Sequence, residues 1–265
     1  MRSIRGTAVT PILTTLAFAA AITGGVLFGQ RHPYLRVTTH GEWVKFTNAK
    51  GDSIRAYVAY PERQGHAPAV IVIHEIFGLT DWEPTMGDHF AAQGYVAIVP
   101  DLLSSKYKSS DAVKDSATRL VSSLPNESVI TDLDATYQYV NNLPATQKDN
   151  TGVIGFCWGG GTVWKYAAAN PNLKAAVVCY GPLQDTMLLR TIKAPVLGVF
   201  GQNDGRVTNM VPTEQRILGS QFVADSYLGT GHGFLKPGRT GSGSTEAQRA
   251  LNNIDAFFAK QLDHK

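Results

Sequence analysis

The sequence predicts a doubly wound α/β domain built on a mostly parallel sheet of about eight strands. Three observations predict it. From Glu42 onward, short apolar runs alternate with longer helical patterns. Several runs are apolar throughout, which implies burial on both faces of a sheet covered by helices. Reactive side chains also collect just beyond the ends of these runs, where open α/β sheets carry their sites.

The elements follow in order. E-W-V-K-F-T-N (42–48) and S-I-R-A-Y-V-A-Y (53–60) alternate apolar and polar residues around N-A-K-G-D, and read as an antiparallel hairpin. A-V-I-V-I-H (69–74), Y-V-A-I-V-P (95–100), G-V-I-G-F (152–156) and K-A-A-V-V-C-Y (174–180) are near-continuous buried strands. V-L-G-V-F-G (196–201) and F-V-A-D-S-Y-L (222–228) complete the set. Helical periodicity places helices over 83–93, over 126–143, from just after Cys157 to about Asn170, and over 245–262. In the last, Leu251, Ile254, Phe257, Phe258 and Leu262 share one face.

The chain has 265 residues with 43% hydrophobic and 17% charged side chains, enough for one large domain with its own core. Its formal charge is +3, of which Arg2 and Arg5 lie in the N-terminal segment. No basic block and no basic–aromatic interleaving is visible, so nucleic-acid binding has little support. Residues 6–30 are uncharged and follow a short basic start. Residues 1–29 therefore read as a signal peptide or an N-terminal membrane anchor, with residues 30–265 as the folded domain. Export to the periplasm or the exterior, or a membrane tether through residues 6–30, is the expectation.

G-F-C-W-G-G-G (155–161) closes a strand and opens a helix in the manner of the nucleophile elbow G-x-S-x-G, with Cys157 in the serine position. Glycines are needed at 155 and 159 because the turn is sharp. A helix N-terminus at Cys157 would favour a thiolate. Asp204, in Q-N-D-G-R, and His232, in G-T-G-H-G-F, follow later strands, so the chain order is nucleophile, acid, histidine, as in α/β-hydrolases. His232 would handle the thiol proton, and Asp204 would orient the imidazole. The N–H groups of Trp158 and Ile76 would bind an oxyanion.

Competing readings stand beside these. The only two cysteines, Cys157 and Cys179, could form a disulfide, which would exclude catalysis by Cys157. Asp204 could be a turn residue. Asp225 is a rival acid, but it lies inside a strand. His74 reads as core, and H-E-I-F-G lacks the second histidine of a zinc helix because Gly78 holds that position.

H-E-I-F-G-L, P-D-L-L, G-F-C-W-G-G-G, G-Q-N-D and G-H-G-F, in this order over about residues 42–262, resemble the dienelactone hydrolases (carboxymethylenebutenolidases). The resemblance implies an α/β-hydrolase fold with a Cys157–His232–Asp204 triad, and no metal or organic cofactor is expected. It also implies that Glu75 contacts the resting thiol and helps activate it when substrate arrives. Two positions depart from the family. Where it grips a substrate carboxylate with arginines, this chain has Ser105, followed by Lys106, and Lys236. Lysine keeps the charge but cannot make a bidentate pair. Phe77 and Phe234, with Trp158, are expected to line an apolar acyl pocket.

The expected function is cleavage of a small-molecule ester or lactone through a thioester acyl-enzyme. The alternatives are a broader carboxylesterase or thioesterase on uncharged substrates, and a noncatalytic envelope-associated binding protein on the same fold.

Overall fold

The computed structural model describes residues 40–107 and 109–262, and the expected signal or anchor segment lies outside them. Among the described residues eight strands form one sheet. They are β1 (His40–Thr47), β2 (Ser53–Tyr60), β3 (Ala67–Ile73), β4 (Val96–Asp101), β5 (Thr146–Phe156), β6 (Ala175–Cys179), β7 (Val196–Gly201) and β8 (Phe222–Tyr227). The helices are α1 (Trp82–Ala92), α2 (Ala117–Ser123), α3 (Asn126–Asn141), α4 (Trp158–Ala169), α5 (Gly205–Thr208), α6 (Val211–Leu218) and α7 (Thr245–Gln261). Short 3-10 turns, including Ser110–Ser116 and Thr186–Arg190, fill the remaining connections.

The sheet order is β1-β2-β4-β3-β5-β6-β7-β8. β1 and β2 form the antiparallel hairpin, closed where Thr47 faces Ser53, and β2 runs antiparallel to β4. All other neighbours are parallel. This is the α/β-hydrolase fold.

Strand periodicity sorts the core into two layers. Ile71 and Ile73 of β3 face one side, where Leu133 and Val140 of α3 and Val163 and Trp164 of α4 cover them. Val70 and Val72 face the other side with Phe90 of α1 and Ile254 and Phe258 of α7. Burying each such side chain contributes roughly 1.5–3 kcal/mol, which is why continuous apolar runs settle in the middle of the sheet. The start of α7 is fixed by Ser244, whose hydroxyl accepts the Ala247 N–H at 3.1 Å.

Register positions the chemistry. Ile73 faces Gly155, so the loop after β3 (Glu75, Ile76) emerges beside Cys157 at the end of β5. Gly201 faces Tyr227, so the loops carrying Asp204 and His232 leave the sheet side by side.

Candidate active site

Cys157 occupies the turn between β5 and α4 with φ +56° and ψ −113°. A non-glycine residue in this left-handed region costs on the order of 1–3 kcal/mol and persists only where its surroundings enforce it. The enforcement is visible. A Cβ at Gly159 would stand 2.5 Å from the carbonyl oxygens of Ile73 and His74, so α4 packs backbone against the end of β3. One at Gly155 would stand 2.3 Å from the Gly159 oxygen. The helix then propagates from Cys157 itself, whose carbonyl accepts the Gly161 N–H at 3.0 Å.

The elbow turns the sulfur toward the backbone N–H groups of Trp158 and Ile76, both of which favour its ionised form. The helix terminus does not win, however. Burial pushes the Cys157 thiol above its usual value, and the nearby Glu75 charge pushes it further. The N–H groups and the Arg206 guanidinium act in the opposite sense with less effect. The resting sulfur is therefore held as a thiol.

His232 hydrogen-bonds through Nδ1 to Oδ2 of Asp204, and Asp204 is almost fully buried. The other Asp204 oxygen accepts from Nε of Arg206 at 3.3 Å. An edge-on contact with Tyr180, 5.2 Å between ring centres, supports the imidazole ring. Asp225 is engaged within the fold instead, accepting from Asn253 at 3.0 Å.

Cys157 and His232 line one cavity of about 310 Å³ with Ile76, Trp158, Pro182, Val207 and Arg206. Apart from Cys157, His232 and Arg206, its walls are apolar. Pro182, Val207 and Arg206 carry no sequence signal of their own, although Arg206 stands two residues after Asp204 in Q-N-D-G-R.

Glu75 is buried and meets Nζ of Lys236 at 2.9 Å. Lys236 also lies 3.7 Å from Glu83, donates to Oγ1 of Thr80 at 3.4 Å, and sits over the Trp82 ring at 5.1 Å. Glu83 is itself fully buried and accepts from the Thr80 N–H and hydroxyl, at 2.8 and 2.6 Å. Lys236 is thus consumed by two carboxylates rather than turned to the cavity.

The other residues expected to bind substrate stand elsewhere. Ser105 donates its hydroxyl to Oδ2 of Asp132 at 2.5 Å, because Asp132 on α3 is buried and needs donors. Phe234 is fully buried in the core, packed on Tyr180 and Tyr227 with ring centres at 5.9 and 5.4 Å. Its apolar ring is taken by the core under the histidine loop. Phe77 is exposed and lies beside Lys236 and Arg239, away from the walls around Cys157. His74 is fully buried, with Nδ1 on the Glu75 carbonyl at 2.7 Å and its ring stacked on Trp158. Both cysteines are free thiols, and Cys179 is fully buried. They meet through the backbone, the Cys157 N–H donating to the Cys179 carbonyl at 3.0 Å. Among the described residues no His, Cys, Asp and Glu cluster could hold a metal ion, and no helix is long and apolar enough to cross a membrane.

The model of the dienelactone hydrolase family matches residues 54–262, well over half of the chain. A Methylorubrum extorquens protein provisionally named a carboxymethylenebutenolidase is 33% identical over 221 residues, covering 77% of this chain and 76% of that one. A Yersinia pestis protein with the same provisional name is 37% identical over 169 residues, which is 59% of this chain and 63% of the relative's length. Among solved structures, a provisionally named dienelactone hydrolase from Klebsiella pneumoniae superposes with a TM-score of 0.74 at 28% identity, over 83% of this chain and 99% of the other. The chain belongs to the dienelactone hydrolase family and is a hydrolase on the α/β-hydrolase fold.

Proposed function

We propose that this hydrolase cleaves small-molecule esters or lactones with Cys157 as nucleophile. The observation that carries the reading is the shared cavity, where a cysteine forced into a left-handed elbow faces two backbone N–H donors and lines the same walls as a carboxylate-bound histidine. The provisional names of the relatives support lactone or ester bonds as the target.

The chemistry runs in two halves. Sγ attacks the carbonyl carbon while its proton passes to Nε2 of His232, whose Nδ1–H stays on Asp204. The carbonyl oxygen becomes an oxyanion and takes the N–H groups of Trp158 and Ile76, each such donor contributing about a hundredfold in rate. Collapse breaks the carbon–oxygen bond, and the leaving alkoxide receives the proton from His232. A water then attacks the thioester, giving its proton to His232, and the thiolate departs and is reprotonated. Because the resting sulfur is a thiol, deprotonation accompanies substrate arrival, and Glu75 beside it takes part in that activation.

A specific observation favours uncharged acyl groups over a dienelactone-type acid. Ile76, Trp158, Pro182 and Val207 form the apolar part of the cavity wall, and Arg206, the one permanent cation in that wall, is paired with Asp204, as Lys236 is with Glu75 and Glu83 and Ser105 with Asp132.

The test is turnover of dienelactone, a neutral lactone and a 4-nitrophenyl ester by the wild-type protein and by Cys157→Ala. Turnover that falls by about a thousandfold or more in the variant supports the nucleophile. Equal turnover by both proteins rejects it. No turnover and no alkylation of Cys157 by iodoacetamide would favour a binding protein.

A further inference from the structure

A second cleft, of about 570 Å³, shares two walls with the first: Ile76 and Trp158. These are the residues whose N–H groups face the sulfur. Lys165, Asn126, Ser122 and Gln184 also line the cleft. Lys165 stands seven residues after Trp158 on α4, two helical turns on, and therefore on the same face about 10 Å farther along.

The ionic state of Lys165 sets it apart. Lys236 has Glu75 and Glu83, and Arg206 has Asp204. Lys165 is half-buried, and its one hydrogen bond goes to the neutral amide oxygen of Asn126 at 2.8 Å. Among the described residues no carboxylate pairs with it, Glu127 beside Asn126 being held by Lys50 at 2.7 Å. Burial lowers the affinity of its amine for the proton, and no anion offsets that effect. A partly desolvated cation without a counter-ion gains most from an anion that arrives with a ligand.

We propose that this cleft is a distal subsite in which Lys165, aided by the polar side chains of Asn126 and Gln184, binds an anionic group on the substrate about 10 Å from the scissile carbonyl. The substrate class is then an elongated ester or lactone. Its uncharged part occupies the apolar cavity at Cys157, and its carboxylate or phosphate-like end lies beyond Trp158. The inference rests on the esterase reading given above.

The test uses 4-nitrophenyl monoesters of the dicarboxylic acids from succinic to sebacic, each beside the neutral 4-nitrophenyl alkanoate of equal length. Acetate esters of ω-hydroxyalkanoic acids form a second series with the anion on the alcohol side. In at least one series the anionic-to-neutral ratio of kcat/KM should peak at an intermediate chain length near that of suberic acid. At that length Lys165→Gln should lower the ratio about tenfold, the scale of a hydrogen bond to a charged group. Lys165→Arg should retain it. Asn126→Asp, which sets a carboxylate against Lys165 without touching α4, should lower it as Lys165→Gln does, and serves if that variant folds poorly. Equilibrium binding of the same esters to Cys157→Ala protein reads the subsite without chemistry. There the anionic ester should bind about tenfold tighter than its neutral partner, and the difference should vanish with Lys165→Gln. Neutral-ester turnover with no anionic preference in either series, or a preference that Lys165→Gln leaves intact, overturns the subsite alone. Absence of Cys157-dependent turnover overturns the esterase reading, and the binding arm still decides the subsite.

Discussion

Nζ of Lys236 stands 2.9 Å from Oε2 of Glu75, a pair only 17% and 3% exposed that joins the histidine loop to the loop after β3. Glu75 is also a cause of the raised affinity of the Cys157 thiol for its proton, second to burial. The ion pair therefore sets how strongly a carboxylate acts on the nucleophile. Glu75→Gln removes a negative charge beside the sulfur and should lower the thiol pKa. Lys236→Met frees that charge from its partner and should raise it, while destabilising the fold by about 3 kcal/mol through the carboxylates left buried. The pH dependence of iodoacetamide alkylation reads both, since Cys179 is fully buried. A pKa that moves in neither variant would remove Glu75 from thiol activation.

Asp204 holds Nδ1 of His232 and is itself held by Arg206. Asp204→Asn replaces an acceptor of the Nδ1–H with an amide that can donate, which favours the wrong tautomer with little change in shape. The expected result is a fall in kcat of about a thousandfold to ten-thousandfold, with a much smaller change in KM. A loss under about tenfold would show that the histidine needs no orienting acid here.

The strands and the four long helices were legible because burial on two faces leaves continuous apolar runs and burial on one leaves a 3.6-residue period. The elbow was legible because Gly155 and Gly159 answer to backbone contacts rather than to packing. Short helices such as Val211–Leu218 span too few turns to declare a period. Side-chain direction was not legible. Ser105 turns to Asp132 and Phe234 into the core, and neither choice is encoded within a few residues of its own position. The Lys236–Glu75 pair links residues 161 positions apart. The state of the Cys157 thiol reverses the simple helix-terminus expectation, because burial and Glu75 depend on the assembled site.

The approach of α4 to β3 gives a stability prediction. Gly159→Ala would press a methyl group to 2.5 Å from two backbone oxygens, of Ile73 and His74, that cannot swing aside. It should destabilise the protein by about 3 kcal/mol in urea melts and displace the elbow, so activity falls further than stability alone explains. Gly205→Ala is the matched control. Its new methyl would lie 3.6 Å from the movable Asn209 amide inside a helix, and should be neutral or slightly stabilising. Comparable losses from both substitutions would contradict the close-approach account.

Glu214 on α6 is 1% exposed, and its Oε2 has no hydrogen-bond partner. Burial pushes its carboxyl up to about 7 from an ordinary value of 4.5. Between these values the unfolded chain has released the proton while the folded chain keeps it, so unfolding is favoured as pH rises. The full stability is present below about pH 4.5, falls through the interval to about 7, and is reduced by on the order of 3 kcal/mol above it. Glu214→Gln keeps the shape without the titration. It should therefore raise the melting temperature relative to wild type at pH 8 and make little difference at pH 4.5. Thermal melts of the two proteins at several pH values would trace the interval. A wild-type-minus-variant difference that stays constant from pH 4.5 to 8 would show that Glu214 meets a compensating cation or water in solution.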